Sequence, residues 1–135
     1  MAGTFGYELD LGKLQKEEKE EIRSQIQTYH KYAKLIQNGR YFRLTNPFED
    51  EAGAWEFVSD EKEEVLLSIV MLEMHGNMTP VYIRLQGLDA DAQYLDPSTG
   101  RIYSGAALMN VGIPFLAHLG EYQAEQIYLV KQMKI

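Results

Sequence analysis

The strongest constraint on this fold is a change of pattern at Asn38-Gly39. Before it, Ile22, Ile26, Tyr29, Ala33 and Ile36 recur at spacings of four, three, four and three. That spacing places them on one stripe of an α-helix, predicted over residues 14–37. Glu17, Glu18, Glu20 and Glu21 crowd the first turns and Lys31 and Lys34 sit late, a polarity that suits the helix dipole. Gly39 is a good stop, because glycine accepts a left-handed conformation after the cap. No strong capping side chain marks the start, at Gly12-Lys13-Leu14-Gln15.

After Gly39 the chain reads as short strands. Runs of aromatic and β-branched residues stand at 41–44, 55–59, 64–74, 81–85, 94–95, 101–103 and 126–131. Between them lie turn signals such as Asn46-Pro47, Asp96-Pro97-Ser98-Thr99-Gly100 and Gly112-Ile113-Pro114. Strands about ten residues apart with such turns predict an antiparallel β-sandwich of Greek-key type. The fold class is therefore all-β with one long N-terminal helix. Residues 65–72 are apolar almost throughout and are expected to form a central strand covered on both faces. Ser59-Asp60-Glu61-Lys62-Glu63 should be the hairpin joining that strand to the one carrying Trp55. Residues 106–111, between Gly105 and Gly112, read as a small helix or turn.

Composition removes several functions. The 135 residues allow one domain with a real core but not a (β/α)8 barrel, which takes about 250 residues. A net charge of -7 argues against nucleic acid and anionic membrane partners and leaves neutral sugars possible. The chain has no cysteine, so disulfides, thiolate metal sites and thiol nucleophiles are excluded. No signal peptide and no membrane-spanning run is visible, and the expected location is cytoplasmic. Asn77-Met78-Thr79 matches a glycosylation pattern and is read as chance.

No motif marks a reaction centre, and no catalytic, cofactor-binding or metal-binding residue is assigned. His30, His75 and His118 have no partner at metal-ligand spacing. Asp89-Ala90-Asp91 could open a calcium loop, but the sixth and twelfth positions hold Tyr94 and Gly100 instead of glycine and glutamate. It reads instead as a polar turn before a strand. Glycoside hydrolysis needs paired carboxylates. With 20 acids in the chain some pair is always close, and most sit in charged, solvated runs. Glu56 and Glu73 come nearest to an acid isolated in an apolar strand, and alternation puts both on the solvent face. Trp55 and the nine tyrosines could stack on sugar, although aromatics in a small sandwich more often fill the core.

Four segments in register carry a family resemblance. They are Gly3-Thr4-Phe5-Gly6-Tyr7-Glu8-Leu9-Asp10-Leu11, residues 36–59 with Gly39-Arg40-Tyr41-Phe42-Arg43-Leu44 and Ala54-Trp55-Glu56-Phe57-Val58-Ser59, Leu85-Gln86-Gly87-Leu88-Asp89-Ala90-Asp91, and Tyr103-Ser104-Gly105-Ala106-Ala107-Leu108-Met109-Asn110-Val111-Gly112. Together they resemble the C-terminal region of bacterial α-galactosidases of glycoside hydrolase family 36. Relatives often carry serine at the position of Gln15.

The resemblance implies a larger parent enzyme with a β-supersandwich, a (β/α)8 barrel and a small C-terminal β domain. Such enzymes release terminal α-galactose from melibiose and raffinose-type sugars with retention, and their two catalytic aspartates lie upstream of the first segment. On that reading residues 1–38 end the barrel with its terminal helix, and residues 39–135 are a non-catalytic sandwich domain capping it. Its partners would be the barrel and, through the parent, the galactoside substrate. The fragment alone would be inactive. A carbohydrate-binding module holding oligosaccharide on exposed aromatics is the alternative. Without the barrel, the stripe Ile22, Ile26, Tyr29, Ala33, Ile36 should seek cover in self-association, since leaving it wet costs about 25 cal/mol per Å2.

Overall fold

A computed structural model describes residues 3–73, 79–115 and 124–133. His75, His118 and most of the Asn77-Met78-Thr79 pattern lie outside these residues. The chain opens with an irregular segment, then helix α1 (Lys16–Asn38). Strands β1 (Arg40–Arg43), β2 (Ala52–Val58), β3 (Glu64–Met71), β4 (Val81–Ile83), β5 (Gln93–Leu95) and β6 (Ile102–Ser104) follow. A short helix α2 (Gly105–Asn110) precedes β7 (Ile113–Phe115) and β8 (Ala124–Lys131).

The strands form two antiparallel sheets. One has six strands in the order β1-β2-β3-β8-β5-β6, and the other pairs β4 with β7. Strand β8 enters between β3 and β5, so the sheet closes through long-range pairing. Strand β3 is central, and Val65, Leu66, Leu67, Ile69 and Met71 on it are wholly buried. Both its faces are covered, as the apolar run requires.

Alternation sorts these residues into two cores. Ala52, Ala54, Val58, Val65, Leu67, Ile69, Met71 and Leu129 face the β4–β7 sheet and α2, meeting Ile83, Leu85, Leu88, Tyr94, Leu108, Ile113 and Phe115. On the opposite face Phe57, Leu66, Trp55 and Tyr128 meet Tyr29, Tyr32, Ala33, Leu35 and Ile36 of α1. The helix is thus a third layer on the outer face of the larger sheet.

That packing covers only part of the predicted stripe. Tyr29 and Ile36 are buried and Ala33 is half-buried, while Ile22 is half-buried and Ile26 is 36% exposed. Leu35, off the stripe, is buried as well. The C-terminal half of α1 is docked and the N-terminal half stands clear of the sheet. Phe5 stacks on Tyr29 at 5.4 Å, and the Tyr29 hydroxyl donates to the Gly3 carbonyl at 2.9 Å, which ties the entering segment to the docked half.

Three local expectations change. The helix start is marked after all, because the Glu18 carboxylate accepts the Gln15 backbone N–H at 2.8 Å, one arm of a capping box. Gly39 is not left-handed: its φ is -73°. A Cβ there would lie 2.5 Å from the Leu35 carbonyl oxygen and 3.1 Å from that of Val58. The position demands glycine for space, where α1 turns into β1. Gly112-Ile113-Pro114, read as a turn, instead leads into β7, where Pro114 stands opposite Tyr82. Proline is tolerated on an edge strand, and each strand of a two-stranded sheet is an edge.

The 59–63 hairpin is built as predicted. The Ser59 hydroxyl accepts the N–H groups of Glu63 and Glu64, both at 3.0 Å, and Lys62 takes the left-handed position at φ 58°.

Candidate functional site

An open groove of about 1100 Å3 lies at one end of the six-stranded sheet. Three separate stretches line it: Glu63 and Glu64 at the hairpin end of β3, Asp89, Asp91, Ala92 and Gln93 leading into β5, and Tyr128, Val130, Lys131, Gln132 and Met133 at and just beyond the end of β8. Register brings them together, since Glu64 lies opposite Val130 and Tyr94 opposite Lys131. Lys131 Nζ meets Asp89 Oδ2 at 2.8 Å, and the Tyr128 hydroxyl donates to Glu64 Oε1 at 2.5 Å. That bond to Lys131 holds the Asp89 carboxyl below its ordinary range. Burial, reinforced by Glu64, pushes the Tyr128 phenol up.

Asp89-Ala90-Asp91 is the polar turn expected. Asp89 Oδ1 accepts the Asp91 N–H at 3.1 Å, and the Tyr94 hydroxyl accepts the Asp89 N–H at 3.0 Å. Asp96 organises the next turn. Its oxygens accept from the Ser98 hydroxyl at 2.6 Å and the Thr99 hydroxyl at 2.9 Å. Burial alone would raise this carboxyl, but the hydrogen bonds outweigh it and hold the group low.

Glu56 is the residue that alternation misplaced. It is fully buried, with Ala54 and Val58 on the inner face of β2. The solvent-face reading assumed that Trp55 and Phe57 marked the only core face. In fact α1 covers their side, and the β4–β7 layer covers the other. Glu56 Oε1 accepts the Gln86 backbone N–H at 2.6 Å, whereas Oε2 is buried with no hydrogen-bond partner among the described residues. Burial pushes the carboxyl up to about 8, against the smaller lowering effect of the Gln86 N–H. Glu73, the other acid singled out, is exposed just beyond β3.

A glycosidase needs two reachable carboxylates, one of which carries a proton near neutral pH. Glu56 and Asp89 each hold only one of these properties. Glu56 holds its proton but is sealed in the core, and Asp89 in the open groove is held low. His30 is exposed on α1. Among the described residues no group of three or more His, Cys, Asp or Glu side chains could hold a metal ion, and no helix is long and apolar enough to cross a membrane.

Among the described residues the exposed aromatics do not gather into one platform. Tyr41 on β1 is 50% exposed, Phe48 in the following turn 93%, and Tyr82 on β4 57%. Trp55 is half-buried against the helix layer, and its indole N–H is buried without a partner among the described residues.

Comparison with known proteins identifies the architecture. The family model of the glycosyl hydrolase family 36 C-terminal domain matches residues 52–129. The bifunctional α-galactosidase/sucrose kinase AgaSK of Mediterraneibacter gnavus is 53% identical over 126 residues, 93% of this chain and 14% of that protein. The α-galactosidase AgaA of Geobacillus stearothermophilus is 38% identical over 113 residues, 84% of this chain and 15% of that protein. The solved galactosidase domain of AgaSK superposes with a TM-score of 0.91 at 49% identity, covering 95% of this chain and 18% of that one. This chain therefore spans less than a fifth of each of these relatives. Sequence match and superposition agree that the chain belongs to glycosyl hydrolase family 36, in the part of the molecule described as its C-terminal domain.

Proposed function

We propose that this chain serves as the non-catalytic C-terminal part of a retaining α-galactosidase, capping the catalytic barrel and releasing no sugar by itself. The observation that carries the reading is the family match across residues 52–129, set beside relatives several times longer. The placement of Glu56 and Asp89 supports it, because Glu56 keeps its proton but is sealed in the core, and Asp89 lines the open groove but is held low. No residue of this chain is assigned a catalytic, cofactor or metal role. In this reading residues 1–38 end the barrel and residues 39–135 form the capping domain.

The substrates would be melibiose and raffinose-type galactosides acting through the parent enzyme. A substituted AgaA of G. stearothermophilus, 32% identical to this chain, has been solved in complex with raffinose. The absence of cysteine suits a reducing, cytoplasmic setting. An antibody raised against this chain tests the reading in source cells. A native polypeptide several times heavier than 15.5 kDa is expected, and a native band at 15.5 kDa would overturn it.

The uncovered half of α1 gives the isolated chain a second property. Ile22 and Ile26, with exposed Tyr7, Leu9 and Leu11 on the entering segment, leave apolar surface in water. The isolated chain should self-associate through this face. Light scattering should give a mass above 15.5 kDa in the micromolar range, and a monomer throughout that range would refute the idea.

A further inference from the structure

We propose that Glu56 is a proton-dependent latch fastening the β4–β5 connection onto the six-stranded sheet. The connection carries Leu85 and Leu88, which are 1% and 4% exposed in the main core. Its far end is tied down at Asp89, Ala90 and Ala92, by Lys131, Tyr94 and the start of α2, so Glu56 acts on residues 84–88. The Leu85 N–H donates to the Leu108 carbonyl at 3.0 Å, and Gly87, at φ +71°, presses so close to the Phe42 ring that a Cβ would lie 2.6 Å from it. The Gln86 N–H has the Glu56 carboxyl as its partner, at 2.6 Å. That bond joins β2 in one layer to the chain leading out of the other.

Closure keeps the carboxyl neutral: the Gln86 N–H would favour an ionised acceptor, but burial penalises the charge more. The carboxyl is fully buried, and its second oxygen finds no donor among the described residues. Across the sheet its partners are Phe42 and Leu67, neither of which ionises. The titratable group that senses it is Tyr94 of β5, whose hydroxyl donates to the Lys62 carbonyl and accepts the Asp89 N–H. Among the described residues no Lys or Arg forms an ion pair with Glu56. A charge here would have neither water nor a counter-ion, and lifting the connection away gives it water.

The sign follows from linkage. With the connection closed, the carboxyl keeps its proton up to about 8, and once opened it returns to the ordinary value of 4.5. The latch is therefore fully effective below about pH 4.5, weakens as pH rises from there, and has lost its whole contribution above about pH 8. Between those limits one proton is released per opening, so the opening constant rises about tenfold per pH unit.

Amide hydrogen exchange of Gln86 in the 135-residue chain tests this, after division by the intrinsic exchange rate at each pH. The opening constant should rise about tenfold per unit from pH 5.5 to 7.5 and exceed that of the Leu66 and Leu67 amides on β3. In Glu56→Gln, which keeps the acceptor and loses the titration, it should be flat. A pH-independent constant in the unaltered chain, an unchanged slope in Glu56→Gln, or a constant equal to that of β3 would overturn the proposal. Carbon-13 titration of the Glu56 carboxyl in the unaltered chain needs no variant to fold. A midpoint near 8 is expected, and one near 4.5 overturns the latch.

Discussion

Gly105→Ala should cost this fold about 3–6 kcal/mol, summing overpacking with the loss of two or three anchoring hydrogen bonds. For a domain whose whole stability is about 5–15 kcal/mol, that reaches or approaches unfolding. The residue opens α2 behind the N-cap Ser104, where the Ser104 hydroxyl accepts the Ala107 N–H at 3.1 Å. An added Cβ would lie 1.9 Å from the Asp89 carbonyl oxygen and 3.2 Å from Tyr94. Neither side can yield cheaply. The Gly105 N–H donates to Ala92 at 2.8 Å and the Ala106 N–H to Ala90 at 3.2 Å, so α2 is pinned to the turn it would have to leave. Tyr94 is wholly buried and held by two hydrogen bonds. Gly100→Ala is the matched control. Gly100 has φ +73°, and a Cβ there would meet nothing within 4 Å, so only backbone strain of about 1–2 kcal/mol applies. Urea unfolding of both variants checks the difference. Equal costs would mean that the α2 contact gives way easily.

Such contacts mark the limit of what the sequence reveals. The 3.6-residue stripe, the apolar run at 65–72 and the 59–63 hairpin are local patterns, and each specifies its own element. What covers each face is decided by chain far away in sequence. Alternation places Glu56 opposite Trp55 and Phe57 in direction, which is right, and then assumes that one direction is solvent. The helix covers Trp55 and Phe57, while Glu56 is covered by the β4–β5 connection, whose Gln86 lies 30 residues downstream. Gly39 is readable as a helix stop, and its tightest constraint, the Leu35 carbonyl oxygen 2.5 Å from an added Cβ, is local, whereas the Val58 approach at 3.1 Å depends on β1–β2 pairing. The groove is illegible for the same cause, since its walls come from within residues 63–64, 89–93 and 128–133. No spacing rule joins three stretches that only sheet register brings together.

Leu66→Ala should cost about 2–5 kcal/mol, the range for a buried leucine truncated in a core that relaxes only in part. Leu66 is wholly buried on the outer face of β3, between Phe57 and Tyr128 in register. It belongs to the small cluster with Tyr29, Leu35 and Ile36 that holds α1 to the sheet. The cluster has few members, so the cavity left by the lost methyl groups would fall where the helix has little other attachment. Ile26→Ala, at a side chain 36% exposed on the undocked half of the same helix, should cost under about 1 kcal/mol. Urea midpoints for the two variants measure how unevenly the helix is held. A large cost at Leu66 and a small one at Ile26 would place the anchorage in the C-terminal half of α1. Equal costs would mean that the Ile26 half is covered as well in solution. That cover would come from a second copy, because this sheet reaches only the Tyr29 to Ile36 end.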